Sequence, residues 1–291
     1  MSNETTEHVN REYKDRLFTF IFGSEENRDW TLSLYNAVNG SHYTDSSLIK
    51  FNTLKDMLYM EMRNDTSFLI SDVLSVYEHQ SSPNPNMPLR LLDYVSHIYS
   101  GYVTEKELNK YGSKLIMLPT PKLVVFYNGI RETEDTVILK LSDSFNVAHR
   151  ADADIEVRVK MFNVNYGRNR ELMEACEPLK EYAWFIDRIR KNQNIGFEIV
   201  EAVGHAIETM PEGFTLKGFL ENHREEVKGM LDTEFNEAVV WGRFQKEVDD
   251  EKKRADDAEK RADYAEKKVE DMKKQIEELK AENERLKAAP N

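Results

Sequence analysis

Two acidic residues and one amide, carried by neighbouring strands, are the residues of this chain best suited to chemistry. Asp65 precedes a predicted strand at Thr66 to Ile70, and Glu78 and Gln80 end the next strand. Because side chains alternate along a strand, Glu78 and Gln80 point the same way. Carboxylate and amide oxygens are the ligands that Mg²⁺ prefers. The spacing predicts one divalent-cation site that could activate water against a phosphodiester, although carboxylates near strand ends are also commonly just solvated.

A loop and a helix follow this hairpin. The run SSPNPN is typical of a turn, and Pro88 suits the first turn of a helix. Arg90 and Tyr94 then fall four residues apart, on one face of that helix. Two roles are open for the pair: contact with the predicted site, or packing of the helix against the hairpin.

The remaining elements must place the hairpin in a sheet. Apolar spacing predicts helices over residues 11–22, from Ser24 to a stop at Asn39-Gly40, and from Arg170 onward. Apolar runs predict further strands at Leu123 to Tyr127 and Ile155 to Val164. Strands alternating with helices indicate an α/β fold, a mixed sheet flanked by helices.

The chain resembles the Rpn-type family of recombination-promoting nucleases and transposases, within the PD-(D/E)XK nuclease superfamily. The matching segments run in order over roughly residues 11–240, and the segment from Glu78 to Tyr94 is the specific one. The segments are KDRLFTFIFG (14–23), RNDTSFLI (63–70), YEHQSSPNPNMPLRLLDY (77–94), LVVFYNG (123–129), FNVNYGRN (162–169) and LKEYAWFIDRIR (179–190). The resemblance implies a metal-dependent DNA endonuclease with the element order αβββαβ.

The resemblance also implies roles for the site residues. Asp65, Glu78 and Gln80 would be catalytic, and Asp65, Glu78 and the backbone carbonyl of His79 would hold Mg²⁺ or Mn²⁺. Gln80 stands where the superfamily usually has lysine; it cannot take up a proton, but it can orient a water. Arg90 and Tyr94 would bind a DNA phosphate or support a carboxylate.

Two other carboxylates compete for a place in this site. Asp72 is the alternative to Asp65 as the first carboxylate, although it falls in the predicted turn. Glu61, four residues before Asp65, is a further candidate ligand.

Composition limits the function classes. The 291 residues carry 53 acidic and 40 basic side chains, a net charge of −13, which counts against simple phosphate-backbone binding. Two readings are open for the local basic residues: a track for DNA, or, the better reading for any one of them, an ordinary solvated face. The residues are Arg150, Arg158, Lys160, Arg168, Arg170, Arg188, Arg190 and Lys191. The single cysteine, Cys176, is predicted to be a small core residue and suits a reducing cytoplasm. We expect no transmembrane helix and no secretory signal.

The C-terminal residues predict a coiled coil. From Ala255, apolar residues alternate at three- and four-residue steps, which is the heptad pattern. Branched residues at a, such as Val269 and Ile276, leucines at d and Asn283 at a favour a parallel homodimer. A single charged helix is the alternative.

Two parts are therefore expected: the resemblance implies a PD-(D/E)XK restriction-endonuclease-like domain at 11–240, and the heptad pattern predicts an α-helical coiled-coil tail at 241–291. The favoured function is a metal-dependent DNA endonuclease with DNA as partner and no membrane association. The alternatives are a degenerate nuclease that binds DNA without cutting it, and a coiled-coil interaction protein.

Overall fold

The structure is a computed structural model that describes residues 16–51 and 66–232 and eight C-terminal residues. Those eight are Lys253, Arg254, Lys260, Arg261, Lys268, Val269, Met272 and Lys273. The chain divides into two compact units, at 1–235 and 236–291. The domain bounds that the sequence predicts, 11–240 and 241–291, stay a prediction.

The first unit alternates helices and strands. In chain order, its elements are α1 (Arg16–Phe22), α2 (Arg28–Asn39), β1 (Ile49–Phe51), β2 (Thr66–Ile70), β3 (Val73–Gln80), α3 (Met87–Glu105), β4 (Thr120–Tyr127), β5 (Thr136–Lys140), β6 (Arg158–Asn163), α4 (Arg170–Ala175), α5 (Glu177–Asn194), α6 (Ile199–Glu208) and α7 (Thr215–Asn222).

The strands form one mixed sheet of six, in the order β1-β2-β3-β4-β6-β5. The three central strands β3, β4 and β6 run parallel, so their carboxyl ends meet at one edge. Strands β1 and β2 extend the sheet antiparallel on one side, and β5 does so on the other. The α/β fold class, a mixed sheet flanked by helices, is confirmed.

Apolar residues cover both faces of this sheet. On one face, Leu74 and Val76 of β3 pack with Leu91 and Val95 of α3. On the other, Tyr77 and its neighbours pack with α1, α2 and α4 to α7. A strand buried on both faces needs apolar residues at nearly every position, and β3 has them before Glu78 except at Ser75.

Local signals in the sequence predicted several of these elements well. The hairpin turn falls at Ser71-Asp72, with Ser71 at φ +54°. Helix α2 ends at Gly40, whose φ of +62° is the left-handed cap that glycine adopts without strain. Helix α3 runs over Met87–Glu105 and carries Pro88 in its first turn, as expected.

Other elements differ from the prediction. The strand predicted at 155–164 is shorter, at Arg158–Asn163, and the short edge strands β1 and β5 were not predicted. The helical pattern predicted from Arg170 onward is interrupted at Cys176, and a new helix begins at Glu177 with Pro178 in its first turn. Cys176 is buried, as predicted, and burial raises the pKa of its thiol to about 11.

The second unit is described at its eight residues only, and all eight are helical and exposed. Across the described part of both units, no helix is long and apolar enough to cross a membrane.

Candidate metal centre at the carboxyl edge of the sheet

The predicted site residues of β3 lie at the edge where the parallel strands end. Gln80 pairs in register with Tyr127, and Tyr127 pairs with Asn163. These residues are the last of β3, β4 and β6. Ligand sites in open α/β sheets usually lie beyond the carboxyl ends of the strands, so this edge is the place to look for chemistry.

Glu78 is a buried carboxylate with a charged partner. Its residue is 4% exposed, and the Arg90 guanidinium lies 2.5 Å from Oε1, measured from Nη2. The same Nη2 donates to the Tyr94 hydroxyl at 3.0 Å. Arg90 and Tyr94 share a face of α3 because they are four residues apart. The helix therefore carries a cation directly over Glu78.

Gln80 lies on the same side of β3 and is 7% exposed. Its Nε2 donates to the sulfur of Met87, the first residue of α3. Its Oε1 is buried and has no hydrogen-bond partner among the residues that the structure describes. A buried acceptor left unsatisfied costs free energy, so this oxygen suits a metal ion or an ordered water.

His79 points to the opposite face. A hydrogen bond of 3.0 Å joins its Nε2 to the Tyr182 hydroxyl of α5, and the Phe18 ring stacks on it with centroids 5.0 Å apart. This side chain belongs to the core, as the alternation along β3 requires.

The backbone carbonyl of His79 points toward the β2 side of strand β3. The Gln80 carbonyl accepts from the Asn128 N–H at 2.9 Å, on the β4 side. Successive carbonyls of a strand point to opposite neighbours, so the His79 carbonyl points toward the β2 side. Strand β2 begins at Thr66, opposite Tyr77.

Of the candidate carboxylates Asp65, Glu61 and Asp72, the structure describes only Asp72. Asp65 and Glu61 lie outside the described residues, so their place in the site stays a prediction. Asp72 is exposed in the hairpin turn, at the far end of β3 from Glu78. At about 3.3 Å per residue, that strand separates the two by roughly 20 Å, so Asp72 is wrong as a partner of Glu78.

A polar loop beside the site was missed by the sequence analysis. Its backbone carbonyls, in 128–135, accept from buried side chains: Tyr127 donates to the Arg131 carbonyl at 2.9 Å and Asn165 to the Gly129 carbonyl at 3.0 Å. A Cβ at Gly129 would collide with the Ser81 carbonyl and the Tyr127 hydroxyl, so only glycine fits there. The FYNG and NVNYGRN segments were the available signal.

Burial alters the ionisation of two groups in this loop region. It raises the pKa of Tyr127, against a smaller opposing effect of its hydrogen bond to the Arg131 carbonyl. It lowers the pKa of Arg190 below the ordinary arginine value.

The predicted basic track is largely occupied by local contacts. Arg190 turns inward and donates to the Asn128 carbonyl and the Asn165 amide. Arg168 pairs with Glu132 and Asp135. The other pairs are Arg150 with Asp143, Arg170 with Glu174 and Lys191 with Asp187. Arg190 therefore helps to hold this loop in place, and its membership of a basic track for DNA stays a prediction.

The side-chain oxygens at this edge of the sheet are suited to a hard metal ion. Within 16–51, 66–232 and the eight tail residues, no three His, Cys, Asp or Glu side chains gather at one place. The described residues supply one carboxylate, Glu78, and the orphaned amide oxygen of Gln80. Both are oxygen ligands of the kind Mg²⁺ or Mn²⁺ takes, so the residues fit such an ion.

Comparison with known proteins gives one match. A protein-family model described as "Putative transposase, YhgA-like" matches residues 37–212, which include β1 to β6, the Glu78–Gln80 edge and α3 to α6. No curated protein and no solved structure matches the chain significantly.

Proposed function

Since the chain belongs to the family of putative, YhgA-like transposases, we propose that it is a metal-dependent DNA endonuclease that acts in recombination or transposition. The observation that carries the proposal is the buried Glu78, paired with Arg90 and next to an amide oxygen without a described partner. This cluster lies at the carboxyl edge of a mixed sheet, where catalysis is common in such folds.

The element order supports a PD-(D/E)XK-like core. Among the described residues, helix α2, strands β1 to β3, helix α3 and strand β4 follow one another as αβββαβ. This is the order that the family resemblance implies. Glu78 and Gln80 then fall on the third strand of that core, as the resemblance requires.

The proposed ligands are Asp65, Glu78 and the backbone carbonyl of His79. Thr66 and Tyr77, which pair in register, are the sequence neighbours of Asp65 and Glu78. When bound, Mg²⁺ or Mn²⁺ would lower the pKa of a water and neutralise charge on the scissile phosphate.

The other side chains would position the attacking water and the Glu78 carboxylate. Gln80 would accept a hydrogen bond from the attacking water through Oε1 and hold its direction. Arg90 would hold the Glu78 carboxylate in place, and its side chain, 40% exposed, could also reach a phosphate of the DNA. Tyr94 would fix the Arg90 guanidinium through its hydroxyl.

DNA is the proposed partner, and the cytoplasm is the proposed location. An acidic protein of net charge −13 gains little from general attraction to phosphate. Its affinity would depend on the bound cation and fall steeply with salt.

The tail is proposed to form a parallel homodimeric coiled coil. Val269 and Met272, an a and a d position of the heptads, are each about half exposed in the single chain. A dimer would bring two sites together, as cutting both strands in one encounter requires. Sedimentation of the full chain and of a chain ending at Phe244 tests this. We expect the full chain to be a dimer and the shortened chain to be a monomer. A monomeric full chain would contradict the proposal.

A degenerate nuclease that binds DNA without cutting it is the second candidate. Glutamine at position 80, where the superfamily has lysine, favours this alternative, because glutamine supplies no positive charge. A coiled-coil platform without a site does not explain the buried Glu78.

Plasmid cleavage decides between these functions. Supercoiled DNA is incubated with Mg²⁺, Mn²⁺ or EDTA and with wild type, Asp65→Ala or Glu78→Ala. We expect metal-dependent nicking that both substitutions abolish. Asp72→Ala is the matched control, since it removes a carboxylate from the far end of the same hairpin, and it should nick like wild type. Equal nicking by Glu78→Ala would refute the proposal, and metal-dependent DNA binding without nicking would favour the degenerate nuclease.

A further inference from the structure

We propose that the thioether sulfur of Met87 is a positioning group for this site, because it holds the Gln80 carboxamide and the Arg90 guanidinium in working orientation. The inference rests on the proposed function. Met87 is fully buried at the start of α3, where the helix meets the end of β3.

The sulfur accepts from both flanks of the site. On one side it accepts from Gln80 Nε2, and on the other it lies 3.6 Å from Arg90 Nη1. Thioether sulfur is a weak acceptor and carries no hydrogen to donate. It therefore distinguishes the two ends of a carboxamide: the NH₂ group must face it.

Fixing the NH₂ group fixes the oxygen. With Nε2 on Met87, Gln80 Oε1 is the atom left without a hydrogen-bond partner in the part of the chain that the structure describes. The orphaned oxygen is on the Glu78 side of the sheet, since residues 78 and 80 share a face. Rotation of the amide by half a turn would present NH₂ there instead, which cannot bind a cation or accept from a water.

The same contact constrains Arg90. Its Nη1 is next to the sulfur while its Nη2 contacts Glu78 Oε1 and the Tyr94 hydroxyl. The planar guanidinium is thus held at both nitrogens. Met87 therefore contacts Gln80 with one side of its sulfur and Arg90 with the other.

A purely space-filling methionine would behave differently. Leucine has nearly the volume of methionine and replaces it in cores at small cost, but it accepts no hydrogen bond. Met87→Leu therefore removes the acceptor and keeps the packing. Met161→Leu is the matched control: Met161 is buried in the same cluster, on β6.

The test combines three measurements on the full chain. Mn²⁺ affinity is measured from the electron paramagnetic resonance of the unbound ion, plasmid nicking is measured against Mn²⁺ concentration, and the Tm is recorded for each variant. Loss of one hydrogen bond predicts Mn²⁺ binding weaker by about 3- to 10-fold in Met87→Leu, with a Tm lowered by no more than about 5 °C. Met161→Leu should keep the wild-type affinity. Equal affinity in the two variants would overturn the proposal.

A double substitution separates positioning from general damage. In a Gln80→Ala background, Met87→Leu should weaken Mn²⁺ binding far less than it does alone, since the amide it orients is gone. Fully additive effects would contradict an action of Met87 through Gln80.

A measurement without metal separates this inference from the proposed function. The side-chain NH₂ signal of Gln80, assigned by its loss in Gln80→Ala, should shift in the ¹⁵N spectrum of Met87→Leu and stay in place in Met161→Leu. An unshifted signal would overturn the positioning role. A shifted signal in a protein that neither binds Mn²⁺ nor nicks DNA would support it while the proposed function fails.

Discussion

The last three residues of β3 face two different environments. His79 points to the α5 face, where it bonds to Tyr182 and stacks on Phe18 within the core. Glu78 and Gln80 point to the α3 face, where Arg90 and Met87 meet them. Three consecutive polar residues therefore have two distinct surroundings.

The difference lies in what covers each group. Aromatic rings pack around His79. The imidazole needs no access to solvent there, because its role is to stabilise the fold. The cover over Glu78 is a side chain that is itself 40% exposed. The α3 face thus combines a charged pair with a side chain that reaches solvent. The proposed function therefore places the reaction on the α3 face, and the α5 face stabilises the fold.

The largest effect is expected from removing the negative charge on the α3 face. Glu78→Gln keeps the side-chain volume but removes the carboxylate. Since losing even a group that supports a metal ligand costs about 10- to 100-fold in affinity or activity, we expect at least a 100-fold loss of nicking. Rates of plasmid nicking at saturating Mn²⁺ measure it.

The matched change on the α5 face is His79→Gln, which leaves the backbone carbonyl in place. It should keep the nicking rate within about 3-fold, the loss expected from at most one weakened hydrogen bond. A greater loss from His79→Gln than from Glu78→Gln would reverse the assignment of the two faces.

Arg190→Met should reduce stability by about 1.5–3 kcal/mol, because hydrogen bonds from a charged group in a partly buried place are lost. Arg190 extends from α5 to the Asn128 carbonyl and the Asn165 amide. Urea denaturation gives the change in the free energy of unfolding. The exposed, ion-paired Arg170→Met is the control and should change it by less than about 0.5 kcal/mol.

Tyr182→Phe should cost about 1 kcal/mol, since it removes one hydroxyl from a buried hydrogen bond. The nicking rate should not change. A lower rate at unchanged stability would show that the α5 face takes part in the reaction.

The smallest effect concerns Cys176. Burial raises its thiol pKa to about 11, so the thiol should resist iodoacetamide at pH 8 until the protein unfolds. The ordinary pKa of a cysteine thiol is 9.0, so this group stabilises the fold fully below pH 9. That contribution is lost as the pH rises through 11. Rapid labelling of the folded protein would contradict the buried position.

The sequence allowed the hairpin and the shared direction of Glu78 and Gln80 to be predicted because both depend on local alternation. It did not reveal β1 or β5, whose short, half-exposed segments become strands only through pairing with distant partners. The helix break at Cys176 was signalled by Pro178, but the apolar spacing continues across it.

The contacts of the site were less predictable than its residues. Spacing placed Arg90 and Tyr94 on one helix face and left their role open. The angle at which α3 packs on the sheet decides that Arg90 meets Glu78 and that Met87 meets Gln80. Arg190 looked like part of an exposed basic track, whereas the loop at 128–135 draws it inward.

The corner between β3 and α3 has a consequence for how the site is assembled. Glu78, Gln80, Met87, Arg90 and Tyr94 all fall within residues 78–94. Joining groups so near in the chain costs little loop entropy. Most of the proposed site is therefore encoded in one short stretch of the chain, and only the packing of α3 on the sheet is needed to bring these side chains together.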